Sequence, residues 1–216
     1  MNTNIIANPF ATEGDELERY ALEECVKRQR LDHRVSALVL PDQRCELAPK
    51  LARLGAEVLV VDSPENRQET EGRILASGQR GEITFYPSHL PDLPELLQGE
   101  PFDIIIWRRG LCSMPYPEAS RIARQLLRRL RIGGKLFISV LGLHSELGEG
   151  YPDAEQPIDQ RFTTLAPPIA KKYGIRQPVC LYTERNLFML LLEIGASVLR
   201  TQTTTYGNVK AIAVRV

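Results

Sequence analysis

The sequence lacks an excess of charge of either sign, because 27 lysines and arginines balance 27 aspartates and glutamates in 216 residues. A balanced chain has no global field that would draw it to nucleic acid or to an acidic membrane surface. It also lacks any apolar run of the roughly 18 residues that a membrane-spanning helix needs. Its start has neither a basic leader nor a hydrophobic core for secretion. We therefore expect a cytoplasmic protein with no nucleic-acid or membrane partner.

Cysteine is sparse, and its spacing argues against a metal site. The four cysteines are Cys25, Cys45, Cys112 and Cys180. No two of them form a C-x-x-C pair or a finger-like spacing. We expect no bound metal and predict reduced, mostly buried thiols, as is usual for an intracellular chain.

What is present is a regular alternation of short apolar segments with helical patterns. Hydrophobic residues make up 43% of the chain, enough for one sizeable core. The predicted strands are Val35–Leu40, Glu57–Val61, Ile83–Tyr86, Asp103–Trp107 and Lys135–Leu141. Such alternation indicates an α/β domain with a parallel sheet, here over residues 34–216. Residues 1–33 form a separate segment, predicted as an amphipathic helix that begins at Thr12 or Asp15 and carries Leu17, Tyr20, Ala21, Cys25 and Val26 on one side.

Glycine is missing from the turn that matters most. The stretch ALVLPDQRCELAPKLARLGAEVLVVDSP, residues 37–64, has the length of a nucleotide-binding β-turn-α-β unit. Its helix pattern covers Leu47–Leu54 and stops at Gly55, and its second strand ends at Asp62. An acid at that place is where such folds hold a ribose. The first turn, however, has no glycine between Pro41 and Cys45.

Together with FDIIIW and LLRRLRIGGKLFISV, residues 102–107 and 126–140, this unit resembles the class I S-adenosylmethionine-dependent methyltransferases. The match runs through a helix from Pro117 to about Leu130 and a Gly133-Gly134 turn. The resemblance implies a Rossmann-like, mostly parallel seven-stranded sheet, closed by an antiparallel hairpin of Ala196–Thr204 and Val209–Val214. Before that hairpin, the pattern predicts a helix that Thr183 caps and Gly195 ends.

The resemblance also assigns the cofactor site. The family's three glycines fall on Pro41, Gln43 and Cys45, and its preceding acid falls on Val39. Side chains there obstruct close backbone approach, and proline also removes a donor. Losing two or three hydrogen bonds of roughly 1–3 kcal/mol each lowers affinity by on the order of a thousandfold. S-adenosylmethionine binding is therefore expected to be weak or lost.

The other residues that the resemblance places at the cofactor follow the later strands. Asp62 corresponds to the ribose acid, and His89 falls where the family often has an aspartate that contacts the adenine amino group. Trp107 and Arg108 follow the fourth strand, near the cofactor or the acceptor. Each also has an ordinary structural interpretation, as a helix cap, a loop histidine, a packed ring or a solvated cation.

Candidate acid-base residues follow the fifth strand. His144 is of the residue type that enzymes use most often as a general acid or base, and Glu146 lies two residues later. They open the segment 142–178, which carries Tyr151, Phe162 and Tyr173 among several prolines. A long, proline-braced loop in a compact domain is usually a lid or a partner surface, and the family inserts its substrate-recognition elements here.

Two functions follow from these expectations. The first is a divergent methyltransferase that acts on a small molecule or a glycan-type metabolite. The second is a catalytically inactive relative that serves as a binding or scaffolding subunit for a protein partner. The turn from Pro41 to Cys45 favours the second function, and Asp62 with the aromatic segment 142–178 favours the first. The sequence leaves the oligomeric state open.

Overall fold

The computed structural model describes residues 16–30, 33–40, 46–92 and 99–216. The helices formed by these residues are α1 (Glu16–Arg28), α2 (Leu47–Arg53), α3 (Arg67–Ala76), α4 (Tyr116–Arg129), α5 (Pro167–Tyr173) and α6 (Glu184–Glu193). The strands are β1 (Ser36–Leu40), β2 (Glu57–Asp62), β3 (Ile83–Pro87), β4 (Phe102–Arg108), β5 (Leu130–Val140), β6 (Ala196–Thr203) and β7 (Val209–Arg215). The sequence patterns did not predict α3 and α5.

All seven strands form one sheet in the order β3-β2-β1-β4-β5-β7-β6. The first five strands run parallel, and β7 pairs antiparallel with both β5 and β6. Strands covered on both faces need continuous apolar runs, and the central strands β1 and β4 have them. The predicted, mostly parallel seven-stranded sheet with a terminal antiparallel hairpin is confirmed.

Two apolar clusters fill the two faces of the sheet. Helices α1 and α2 cover one face, where Leu17, Ala21 and Cys25 recur every four residues and are buried. Val26 is 57% exposed, so its predicted place on the buried side is wrong. It follows Cys25 by one residue, which turns it about 100° around the helix axis. The proposed helix starts at Thr12 or Asp15 lie outside the described residues.

The other face is covered by α4, α6 and the segment 142–178. At the start of α6, the Thr183 side chain accepts a hydrogen bond from the Asn186 backbone N–H, and the Asn186 side chain accepts one from the Thr183 N–H. This capping box confirms the predicted helix start. Gly195, at φ 93°, follows the helix in a backbone conformation that favours glycine, as expected from its place after α6.

The Gly133-Gly134 pair lies inside a strand and does not form a separate turn. β5 begins at Leu130, which pairs with Phe102, and the register then shifts so that Lys135 pairs with Ile104. Gly133 has φ 77°, as a bulged residue often does. A Cβ on Gly134 would lie 2.8 Å from the Arg131 carbonyl oxygen. The predicted turn is therefore a β-bulge early in β5.

The thiols of Cys25, Cys112 and Cys180 are free and buried, as predicted for these three. Burial raises the pKa of Cys25 to about 11 and that of Cys180 to about 12. Cys45 lies outside the described residues.

Within the described ranges, no helix has both the length and the apolar character to cross a membrane, and no cluster of three metal-binding side chains occurs.

Candidate functional site

A cavity of about 410 Å³ opens beyond the carboxyl ends of β2, β3 and β4. We call it the Asp62 cavity. Its lining residues are Val61, Asp62, Ser63, Ser88, His89, Leu90, Ser113, Met114, Pro115, Glu118 and Phe162. Ligands of open α/β sheets bind at this edge. The structure thus brings together two residues that the sequence assigned to the cofactor, Asp62 and His89.

Asp62 is the last residue of β2 and is 6% exposed. Its Oδ1 accepts hydrogen bonds from the Ser63 backbone N–H at 2.7 Å and from Asn66 Nδ2 at 3.0 Å. Its Oδ2 is buried and has no hydrogen-bond partner among the described residues. A buried carboxylate oxygen without a donor is unfavourable. The hydroxyl group of a ligand would satisfy it.

His89 lies in the loop after β3, beside Asp62. The Ser88 N–H donates to the Asp62 carbonyl at 2.9 Å, which ties this loop to the end of β2. The His89 Nε2 is 4.0 Å from Glu65 Oε1, and both side chains are more than half exposed. Its neutral ring can accept a hydrogen bond from a ligand amino group.

Trp107 is fully buried in the core and does not line the Asp62 cavity. It packs against Gly110, where an added Cβ would lie 1.9 Å from Trp107 Nε1 and 2.8 Å from Leu90 Cδ1. The missing side chain at Gly110 is what admits the indole. The ring is therefore unavailable for stacking on a ligand, and its role is packing.

Arg108 points to the opposite face of the sheet from Trp107 and joins an ion cluster. Its Nη2 donates to Glu18 Oε2 at 3.0 Å, and the other oxygen of Glu18 pairs with Lys50. Glu18 is 5% exposed. The cluster links α1, α2 and the end of β4. Arg108 thus has a structural partner and does not line the Asp62 cavity.

Arg109 follows β4, at the place where the resemblance expects contacts to the cofactor or the acceptor. It has φ 57°, the left-handed conformation that non-glycine residues rarely adopt. Its N–H donates to the Ser139 carbonyl at 2.8 Å, which holds the end of β4 against β5. Strained residues of this kind cost about 1–3 kcal/mol and concentrate at functional sites. Arg109 opens the turn that carries Ser113 and Met114 to the cavity.

The remaining predicted cofactor residues, Pro41, Gln43 and Cys45, lie outside the described residues. Their neighbours are described on both sides. Val39 is fully buried in the apolar cluster under α1 and α2, opposite Val60 and Ile106 in the sheet.

The candidate acid-base residues lie away from the lining of the Asp62 cavity. His144 is exposed. Glu146 pairs with Lys172 and accepts a hydrogen bond from the Tyr173 hydroxyl. The bond from Lys172, followed by that from Tyr173, lowers the pKa of Glu146. Glu146 is thus a carboxylate already engaged by two partners, and the assignment of either residue to catalysis stays a prediction.

Comparisons with known proteins identify the fold. No protein-family profile and no curated protein matches the sequence. Solved structures match the fold at low identity. An O-methyltransferase family protein from Burkholderia thailandensis has a TM-score of 0.65 at 13% identity, over 92% of this chain and 56% of that one. This chain thus spans little more than half the length of the Burkholderia protein.

Two further structures are of similar size to this chain. The CcbJ methyltransferase from Streptomyces caelestis has a TM-score of 0.66 at 13% identity, over 92% of this chain and 95% of that one. Magnesium protoporphyrin IX methyltransferase from Synechocystis PCC 6803, solved with bound SAH, has a TM-score of 0.60 at 21% identity, over 92% and 82%. The chain therefore has the Rossmann-like class I methyltransferase fold.

Proposed function

We propose that this class I methyltransferase fold binds S-adenosylmethionine weakly in the Asp62 cavity and transfers its methyl group to a small molecule or a glycan-type metabolite. The observation that carries the proposal is the Oδ2 atom of Asp62, a buried carboxylate oxygen without a donor among the described residues, at the edge where such sheets bind ligands. A ribose hydroxyl supplies the donor that this oxygen lacks.

The charges around the cavity favour a nucleoside without phosphates. Asp62 and Glu118 line it, and the Glu65 carboxylate lies beside His89. The described lining contains no lysine or arginine. Among the described lining residues, phosphate groups would meet carboxylates with no cation to compensate them. A cationic sulfonium nucleoside suits this charge, whereas a nucleotide does not.

The bound cofactor supplies an electrophilic methyl group, and the residues of this chain have to hold the nucleoside and manage the acceptor's proton. Asp62 would orient the ribose, and neutral His89 would accept from the adenine amino group. In the segment 142–178, His144 would take the acceptor proton, with Glu146 as the other candidate. The segment around Tyr151 to Tyr173 would shape the acceptor pocket.

The substitution Asp62→Asn tests the cofactor part of this proposal. We expect it to weaken S-adenosylhomocysteine binding by roughly tenfold to a hundredfold, because a hydrogen bond to a charged acceptor contributes about 1.5–3 kcal/mol. Ligand-observed NMR titration measures the change. In the wild-type protein, adenosine is expected to bind more tightly than adenosine monophosphate.

Asp92→Asn is the matched control, since Asp92 is an exposed aspartate after β3 that does not line the cavity. It should leave affinity unchanged. An equal loss of S-adenosylhomocysteine affinity in Asp62→Asn and Asp92→Asn would count against a site organised by Asp62. Tighter binding of adenosine monophosphate than of adenosine would also count against it.

The second candidate function is a catalytically inactive protein that acts as a binding or scaffolding subunit. The engagement of Arg108 by Glu18, at the strand end where the family contacts cofactor or acceptor, favours it. The glycine-free turn from Pro41 to Cys45 favours it as well. Binding of S-adenosylhomocysteine without turnover of any acceptor would support this alternative.

A further inference from the structure

The segment 142–178, expected to shape the acceptor pocket, also reaches the Asp62 cavity. Of its three aromatic residues, Tyr151 is buried and donates to the Val179 carbonyl at 2.6 Å, and Tyr173 donates to Glu146. Neither lines the cavity. Phe162 does line it, and its ring is partly buried against the larger apolar cluster.

The chain on both sides of Phe162 is fixed. Arg161 is 7% exposed, and its guanidinium donates to the carbonyls of Gln156 at 2.6 Å, Leu181 at 3.2 Å and Asp153 at 3.3 Å. It also donates to Asn186 Oδ1 at 3.2 Å, the side chain that completes the capping box of α6. On the other side, Thr163 exchanges both backbone hydrogen bonds with Val179, at 2.9 and 3.3 Å. Phe162 is thus held at the cavity by the contacts of its two neighbours.

The rest of the lining combines apolar and polar residues. Leu90, Met114 and Pro115 supply apolar surface from the loops after β3 and β4, and Asp62 and Ser63 supply polar groups from the end of β2. The polar residues Ser88, His89, Ser113 and Glu118 come from the same two loops and from the first turn of α4. With Phe162 added, the cavity offers aromatic and aliphatic surface as well as a carboxylate. A nucleoside can use both, since its base is flat and apolar-faced and its sugar carries hydroxyls.

We propose that Phe162 is the wall against which the purine base of the ligand lies, so that the segment 142–178 is part of the nucleoside site as well as the acceptor site. Arg161 is a positioning residue for this wall. The inference rests on the proposed function, because it takes a nucleoside as the ligand. It goes beyond that function in assigning the base contact to the segment after β5.

Phe162→Ala is expected to weaken binding of adenosine and of S-adenosylhomocysteine about tenfold, within the range that base–aromatic stacking contributes. Phe162→Tyr keeps the aromatic face and should bind like the wild-type protein. Tyr206→Ala removes an aromatic ring that is 60% exposed and does not line the cavity. It should leave the affinity unchanged. Circular dichroism checks that each variant is folded, and Phe162→Leu replaces the alanine variant if that one unfolds.

The two proposals fail in different ways. Suppose that the wild-type protein binds, that Asp62→Asn weakens binding, and that the folded Phe162 variants bind as well as the wild-type protein. The assignment of Phe162 as the contact of the base is then overturned, and the proposed function stands. If the wild-type protein binds neither adenosine nor S-adenosylhomocysteine in a titration into the millimolar range, the proposed function is overturned, and so is the assignment of Phe162 as the contact of the base. Weaker binding by Phe162→Ala, together with unchanged binding by Phe162→Tyr, supports both proposals.

Discussion

Replacing Pro41, Gln43 and Cys45 with glycine is expected to tighten S-adenosylmethionine binding by on the order of a thousandfold, as two or three hydrogen bonds of roughly 1–3 kcal/mol each are regained. On the alignment that the resemblance implies, glycine removes Cβ atoms that we expect to obstruct the approach of the backbone to the ligand, and at position 41 it also restores an N–H donor. Isothermal titration calorimetry on the wild-type and triple-glycine proteins measures the gain.

Position 39 should stay valine in this experiment, although the family has an acid there. Val39 is fully buried in an apolar cluster between Val60 and Ile106. An aspartate would lose its hydration without a partner in that cluster, and buried carboxylates of this kind are strongly unfavourable. The buried carboxylate of Glu18 on this face is tolerated because Lys50 and Arg108 pair with it.

The matched control for the glycine variant is the alanine triple at the same positions. Alanine removes most of the side-chain bulk and restores the N–H at position 41 but keeps a Cβ. We therefore expect the alanine variant to show only part of the increase in S-adenosylmethionine affinity. A folded glycine variant that binds no better than the wild-type protein would show that the rest of the pocket cannot hold the cofactor.

Trp107→Ala is expected to lower the free energy of unfolding by about 3–5 kcal/mol, because removing a buried aromatic side chain loses its burial and leaves a cavity. Urea denaturation of the ligand-free protein gives this value. Gly110→Ala should also destabilise the protein, since the new methyl group would overlap the indole. In a Trp107→Phe background the same alanine should cost less, because the phenyl ring leaves room where Nε1 lay.

Ile132→Ala serves as the reference for this series, since Ile132 is apolar but 79% exposed. Such a surface change usually stays within about 0.5 kcal/mol. A loss of less than about 1 kcal/mol in Trp107→Ala, or an unchanged cost of Gly110→Ala in the Trp107→Phe background, would contradict the packing role.

Much of the sheet was predictable because its central strands carry a strong local signal. The runs that end at Leu40 and Trp107 are apolar over several residues, and Gly55 and Thr183 mark helix boundaries by their own chemistry. Helix α3 gave no such signal, since only Thr70 and Ile74 are buried along its ten residues. Its polar exterior has the composition of a loop.

The candidate site was less accessible to sequence reasoning. Asp62 and His89 were found because the resemblance aligns them with the family's cofactor contacts, at the end of β2 and in the loop after β3. Phe162 reaches the cavity only through the contacts of Arg161 and Thr163 with distant parts of the chain. Trp107 was assigned to the cofactor by its place at the end of the fourth strand, but its side chain packs in the core. The space that Gly110 leaves for the indole depends on the tertiary structure and cannot be recognised from the local sequence pattern.

Calorimetric titration of the ligand-free wild-type protein with S-adenosylhomocysteine tests the central claim most directly. The claim is that a glycine-poor turn weakens a nucleoside site that Asp62 still organises. It predicts saturable binding with a dissociation constant near the millimolar range, about a thousandfold weaker than a micromolar site. Binding in the low micromolar range would contradict it, because the turn would then hold the cofactor without its glycines.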